Sequence, residues 1–145
     1  MDFENKKARL GDVLITQGAI SEEQRDAALL AQQKTKHRLG ETLIEAGYTN
    51  ENEITKALHA QLGIDIVDPR VLQIPQEVVG LVSGSILRKH KVLPIGFNPD
   101  GSLILAMSNP LDIVAQDDIS IITNLRIDPR IATTSSLNYV LDSYF

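Results

Sequence analysis

The chain has 145 residues, of which 43% are hydrophobic and 23% charged, the balance of a globular protein long enough to bury a real core or two small ones. A net charge of −5, with 8 basic against 10 acidic groups over residues 1–61 and 6 against 9 over 62–145, leaves no basic field for a nucleic-acid polymer. No cysteine is present, so disulfides and thiolate metal sites are excluded.

The first residues, Met1-Asp2-Phe3-Glu4-Asn5-Lys6-Lys7, lack the apolar run of a signal peptide, and no stretch has the length of a membrane span. A cytoplasmic protein, peripheral to membrane machinery at most, is expected. Arg9-Leu10-Gly11 then opens a short helix with Leu10, Val13, Leu14 and Gln17 on one face, and Gly18 stops it. Ser21-Glu22-Glu23-Gln24 has the form of a capping box that starts a second helix through Ala27, Ala28, Leu29, Ala31 and Gln32. After a polar spacer at 33–37 the pattern recurs at an offset of 29 residues. Arg38-Leu39-Gly40 answers Arg9-Leu10-Gly11, Leu43 answers Leu14, Gly47 answers Gly18, Asn50 and Glu53 answer Ser21 and Gln24, and Leu58 and Gln61 answer Leu29 and Gln32. Four helices packed as two side-by-side units are expected up to Gly63.

The texture changes after Leu62. Ile64, Ile66 and Val67 read as a short extended piece, and Pro75 opens a helix predicted to continue to about His90 despite Gly80 and Gly84. Strands are predicted at 92–96, 103–107 and 126–132, with a turn at Pro99-Asp100-Gly101, a helix over 112–123, and a last helix capped by Ser135 or Ser136. The expected fold is α+β: a four-helix subdomain over 1–63 built from the tandem repeat, then a small subdomain over 64–145 with about three strands.

A packing repeat keeps its apolar positions and lets polar ones drift. This one also keeps Arg, Gly and Gln. Glycine lets a backbone approach a ligand closely, and the first amides of a helix offer donors to an anion. Arginine pairs with phosphate or lies on a purine, and glutamine offers a donor and an acceptor together. Two such units suit a ligand with two related halves. The alternative is plain packing, each arginine pairing with a neighbour such as Asp12 or Glu41.

Elsewhere the residues carry less chemistry. His37, His59 and His90 are scattered without metal-ligand spacing, Asp117-Asp118 reads as a solvated helix surface, and Arg88-Lys89-His90-Lys91 as an exposed helix end. No nucleophile elbow, Walker loop or dinucleotide turn is present, so no enzyme chemistry is expected of this chain.

Residues 9–61 closely resemble the cyclic di-GMP-binding MshEN domain found at the N-terminus of type II secretion and type IV pilus assembly ATPases. That family's pattern is a pair of 24-residue motifs separated by five residues, here 9–32 and 38–61 around the spacer 33–37. The segment Ala106-Met107-Ser108-Asn109-Pro110-Leu111-Asp112 in the second half is similar to the region that follows in those ATPases.

The resemblance implies a regulatory module that senses the second messenger, with no cofactor and with the catalytic domains of the ATPase absent from this chain, as in an excised N-terminal fragment. It implies as partners cyclic di-GMP, the remaining ATPase domains and the secretion or pilus machinery. Arg9 and Arg38 would engage guanines or phosphates, the amides around Gly11 and Gly40 would approach the phosphodiester ring, and Gln32 and Gln61 would bond to base or backbone. Leu10, Leu14, Leu29, Leu39, Leu43, Ile54 and Leu58 would pack on guanine and ribose faces. Two departures make the half-sites unequal: Arg25 stands where the pattern prefers an apolar residue, as at Ile54, and Tyr48-Thr49 replaces the apolar pair seen at Ala19-Ile20. A helical protein-interaction adaptor, docking on a secretion-machine partner without a nucleotide, is the second possibility. A helix-turn-helix reader of DNA sits poorly with the acidic balance.

Overall fold

The computed structural model describes residues 9–35 and 37–145, so the N-terminal stretch inspected for a signal peptide, and Lys36 in the spacer, lie outside the described residues. The chain divides into two compact units at Gly63/Ile64. Among the described residues the first holds four helices, α1 (Leu10–Thr16), α2 (Glu22–Thr35), α3 (Leu39–Glu45) and α4 (Glu51–Leu62).

The repeat is reproduced in backbone detail. Arg9 and Arg38, which precede α1 and α3, have φ/ψ of −71/153° and −68/155°. Both short helices end on a left-handed glycine, Gly18 at φ 78° and Gly47 at φ 79°. In the first, the Gly18 and Ala19 amides donate to Ile15 and Leu14; in the second, Gly47 and Tyr48 donate to Ile44 and Leu43. This is the paired closure that left-handed caps give a helix end. Ser21 Oγ accepts from the Gln24 amide at 3.1 Å while Gln24 Oε1 accepts from the Ser21 amide at 2.9 Å, the reciprocal capping box. Asn50 Oδ1 accepts from the Glu53 amide at 3.0 Å.

The two repeats interlock instead of lying side by side. Helix α1 packs chiefly on α4, and α3 chiefly on α2, so the first helix of each repeat meets the second helix of the other. Leu14, Leu43, Ala28 and Ala57, two pairs of repeat equivalents, meet with Ile20 in one core. The small alanines let each longer helix approach the short helix packed on it.

The second unit is built on a three-stranded sheet in the order β1-β2-β3: β1 (Val92–Phe97), β2 (Leu103–Met107) and β3 (Ile127–Ile131). β1 and β2 are antiparallel across a turn at Asn98–Ser102, where Gly101 takes φ 89°. β2 and β3 are parallel, joined by α7 (Ile113–Thr123), because a parallel pair needs a crossover. Central β2 is an almost unbroken buried run, and prolines occur in its neighbours: Pro94 and Pro129 both register with Leu105. Proline lacks the ladder donor and is confined to edges and bulges, and the β1 register shifts between Pro94 and Gly96. Ile66 forms an isolated parallel bridge to Ile131, the extended piece expected there. α8 (Thr134–Tyr144) supplies Leu137, Val140 and Leu141 to a core with Val79, Leu87, Leu93, Leu103, Leu105, Met107 and Ile119. Each fully buried side chain of this size contributes about 1.5–3 kcal/mol.

Two further expectations are corrected. The helix from Pro75 does not continue to His90: it splits into α5 (Gln76–Val79) and α6 (Gly84–His90), with Gly80 closing the first and Ser83 extended before the second. Glycine weakens helix continuity, and a Cβ on Gly84 would lie 2.7 Å from Phe145 Cγ, so the chain passes too close to the C-terminal ring for a side chain. The last helix is capped by Thr133, whose Oγ1 accepts from the Ser136 amide at 3.2 Å; Ser135 falls inside the helix, and the Ser136 hydroxyl donates back to the Thr133 carbonyl at 2.9 Å.

Candidate ligand cleft

The helical unit carries a cleft of about 310 Å³ lined by Arg9, Gly11, Asp12, Arg25, Asp26, Leu29 and Leu39. Small-molecule sites begin near that size. Arg9, Gly11 and Asp12 come from the start of α1, Arg25, Asp26 and Leu29 from one face of α2, and Leu39 crosses from the second repeat.

Arg25 organises the cleft. Its Nη1 donates to Asp12 Oδ1 at 2.8 Å, tying α2 to α1, and its Nε donates to Asp26 Oδ1 at 3.2 Å. Hydrogen bonds to Asp26 and then Asp12 raise the Arg25 pKa above its ordinary value, so the guanidinium stays charged. Its stem lies over Gly11: a Cβ there would sit 3.0 Å from Arg25 Cγ and 3.3 Å from Leu39 Cδ2. At the equivalent place, a Cβ on Gly40 would sit 3.3 Å from Ile54 Cγ2 and 3.7 Å from Leu10 Cδ2. Each motif glycine thus lies beneath the second helix of its own repeat and the leucine of the other. At Gly11, more than at Gly40, local packing disfavours a side chain whether or not a ligand approaches. Helices α1 and α3 have only seven residues each, so the field at their N-termini is modest.

Of the thirteen residues expected to bind, Arg9, Gly11, Leu29 and Leu39 line the cleft. Leu14 and Leu43 are 0% exposed and form the floor of the core, so they present no surface to a base. Leu58 is 6% exposed against 39% for Leu29, its equivalent, so the two positions face different surroundings. Leu10 and Ile54 meet at Gly40. Arg38 is exposed at the start of α3, where its amide donates to Glu41 Oε1 at 3.1 Å, and Gln32 and Gln61 are half-buried. Asp12 and Asp26 line the cleft without having been counted as ligand-facing. The signal for Asp26 was available: its equivalent is Thr55, so the carboxylate appears only where Arg25 does.

The other polar clusters are satisfied within themselves. His90 Nε2 lies 2.9 Å from Asp118 Oδ2, joining α6 to α7, so Asp118 is a partner and not only a solvated surface. Arg88 pairs with Asp142 at 2.9 Å. Asp128 accepts from Arg130 and Asn98, and Asp100 from Ser102 and Arg126. Among the described residues no group of three His, Asp or Glu is arranged for a metal ion, and no helix is long and apolar enough to cross a membrane.

Against known proteins, the sequence pattern of the MshEN domain matches residues 62–145. The chain belongs to the MshEN domain family. The match falls on the α+β unit, which includes the segment 106–112 likened to those ATPases, whereas the main resemblance seen in the sequence rested on residues 9–61. The MshEN likeness reaches further in solved structures. A structure of MshE with cdg (cyclic di-GMP) is 33% identical, covers 94% of this chain and 99% of its own, with a TM-score of 0.81, and therefore takes in both units. The N-terminal domain of XpsE has the same fold, at a TM-score of 0.81 over 100% of this chain and 99% of its own with 22% identity. Two type IV pilus assembly ATPases named PilB are similar over 94% of the chain, at 30% identity in Myxococcus xanthus and 25% in Thermus thermophilus. This MshEN chain spans 24% and 16% of their lengths.

Proposed function

We propose that this MshEN chain is a cyclic di-GMP-binding regulatory module of a type IV pilus or type II secretion ATPase, with the ligand held by the helical unit. The observation that carries the reading is the duplicated, cross-packed entry of α1 and α3. Matched Arg-Leu-Gly segments stand with near-identical backbone at Arg9 and Arg38, and each glycine is covered by the other repeat's leucine. Such an arrangement is suited to a ligand made of two like halves. The MshE structure with cdg, similar over both units, supports it.

In this reading Arg9 and Arg38 pair with the phosphates, Leu29, Leu39, Leu10 and Ile54 give apolar contact to the bases, and Gln32 and Gln61 bond to base or ribose edges. The amides at Gly11 and Gly40 serve through the packing they permit. Ligand binding stabilises one arrangement of the interlocked repeats and shifts the population presented to the remaining ATPase domains and the pilus or secretion machinery. The module itself catalyses nothing.

Calorimetry on the full chain tests this. Wild type binds cyclic di-GMP, and Arg9→Ala and Arg38→Ala each weaken it about tenfold or more, as expected for a charge-assisted bond. Absence of heat with the wild type, or variants equal to it, overturns the reading in favour of a protein-interaction adaptor.

A further inference from the structure

Arg25 occupies the cleft on different terms from Arg9. A guanidinium has five N–H donors, and the bonds to Asp12 and Asp26 use two of them. Three remain on a side chain that is still 27% exposed. Both carboxylates line the cleft together with Arg9, and both are bonded directly to the Arg25 guanidinium. A phosphate brought to Arg25 would meet both carboxylates, and like charges in close contact are costly. A neutral heterocycle with two adjacent acceptors meets no such repulsion. The O6/N7 edge of guanine is such a group, whereas adenine presents an amino donor beside N7. The clamp also restricts the arginine before any ligand arrives, which lowers the ordering cost of a forked contact.

We propose that Arg25, clamped by Asp12 and Asp26, reads the O6/N7 edge of a guanine in the first half-site, where Ile54 in the second offers only an aliphatic surface. The two half-sites then recognise like bases by unlike means. Arg25 discriminates between bases, and phosphate pairing falls to Arg9 and Arg38. This rests on the cyclic di-GMP reading above.

The test titrates the full chain with cyclic di-GMP and cyclic di-AMP at two salt concentrations, using wild type, Arg25→Lys and Arg25→Ile. Lysine keeps an aliphatic stem over Gly11 and the charge but loses the fork; isoleucine copies Ile54. Both variants are expected to lower the preference for the guanine dinucleotide about tenfold. Arg25→Ile is expected to leave the salt dependence at its wild-type slope, since no phosphate contact is lost. Wild-type preference retained in both variants overturns the proposal, as does a shallower salt slope in Arg25→Ile, and either leaves the cyclic di-GMP reading intact. A wild type that binds neither dinucleotide sinks that reading and the proposal with it.

Discussion

Leu39 lies over Gly11, and the relationship is returned by Leu10 over Gly40. Added Cβ atoms would come within 3.3 Å and 3.7 Å of the respective leucine methyls. The exchange differs in what else is present: Arg25 carbons stand 3.0–3.1 Å from the first Cβ position, and Ile54 carbons 3.3–3.6 Å from the second. A Cβ at Gly11 meets three carbons within 3.3 Å, two of them on the Arg25 stem, whereas one at Gly40 meets a single carbon that close, so the neighbours of Gly11 must give more. Overpacking costs about 1–3 kcal/mol and alanine recovers under 1 kcal/mol of helix propensity. Urea unfolding should show Gly11→Ala clearly destabilised and Gly40→Ala close to neutral; equal effects would contradict the asymmetry.

Thr49 sits where the first repeat has Ile20, which is 6% exposed. The Thr49 hydroxyl is buried and has no hydrogen-bond partner among the described residues. A buried unpaired polar group costs about 1–3 kcal/mol. Thr49→Val, which keeps the shape and removes the orphan oxygen, should raise the urea midpoint by an amount equivalent to about 1 kcal/mol. A lower midpoint would show that the oxygen has a partner.

Lys91 ends α6 in the left-handed region at φ 56°, a place taken by Gly63 and Asn124 at the ends of α4 and α7. A side chain with a Cβ is strained there, more so for lysine than for asparagine. Lys91→Gly is expected to stabilise the second unit by about 0.5–1 kcal/mol, read from thermal denaturation.

Three carboxylates of the second unit are held below their ordinary pKa. Asp68 is lowered first by a hydrogen bond from Arg70, Asp100 by the Ser102 amide, and Asp128 by a hydrogen bond from Arg130. A depressed folded-state pKa means stability that is present above the unfolded value and lost as pH falls through the folded one. Stability of this unit should hold level above about pH 5 and decline below about pH 4, where unfolded carboxylates begin to take up protons. Asp128→Asn should flatten part of that acid limb in urea midpoints measured against pH. An unchanged limb would mean that the Arg130 and Asn98 bonds do not favour the ionised form.

Much of this architecture is written in short-range signals. Gly18 and Gly47 stop their helices because each takes a left-handed φ, and Ser21 with Gln24 closes a capping box visible in four consecutive letters. The apolar run at 103–107 announces the central strand because it is buried on both faces. What escaped depends on partners distant in sequence. Gly80 and Gly84 hint at a break in the helix after Pro75, but nothing near Gly84 tells that Phe145 would occupy its Cβ position. Four hydroxyl residues in a row, Thr133, Thr134, Ser135 and Ser136, offer competing caps, and tertiary position decides for Thr133. In the cleft, Arg9, Gly11, Leu29 and Leu39 were legible from the repeat because they recur. Asp12 and Asp26 carried a fainter signal: Asp12 is answered by Glu41, which reads as a packing partner, and Asp26 stands out only as the neighbour of the unrepeated Arg25.

The interlocking of α1 with α4 and of α3 with α2 bears on how the cleft comes into being. Neither 29-residue repeat contains the chief packing partner of its own first helix, so a chain carrying one repeat alone leaves Leu14 or Leu43 without part of its surroundings. The helical unit must then assemble cooperatively, and contacts spanning both repeats have to close before either helix pair gains stability. Leu39 enters the cleft only through that closure, so nascent chains acquire the pocket in one step with the fold rather than half at a time.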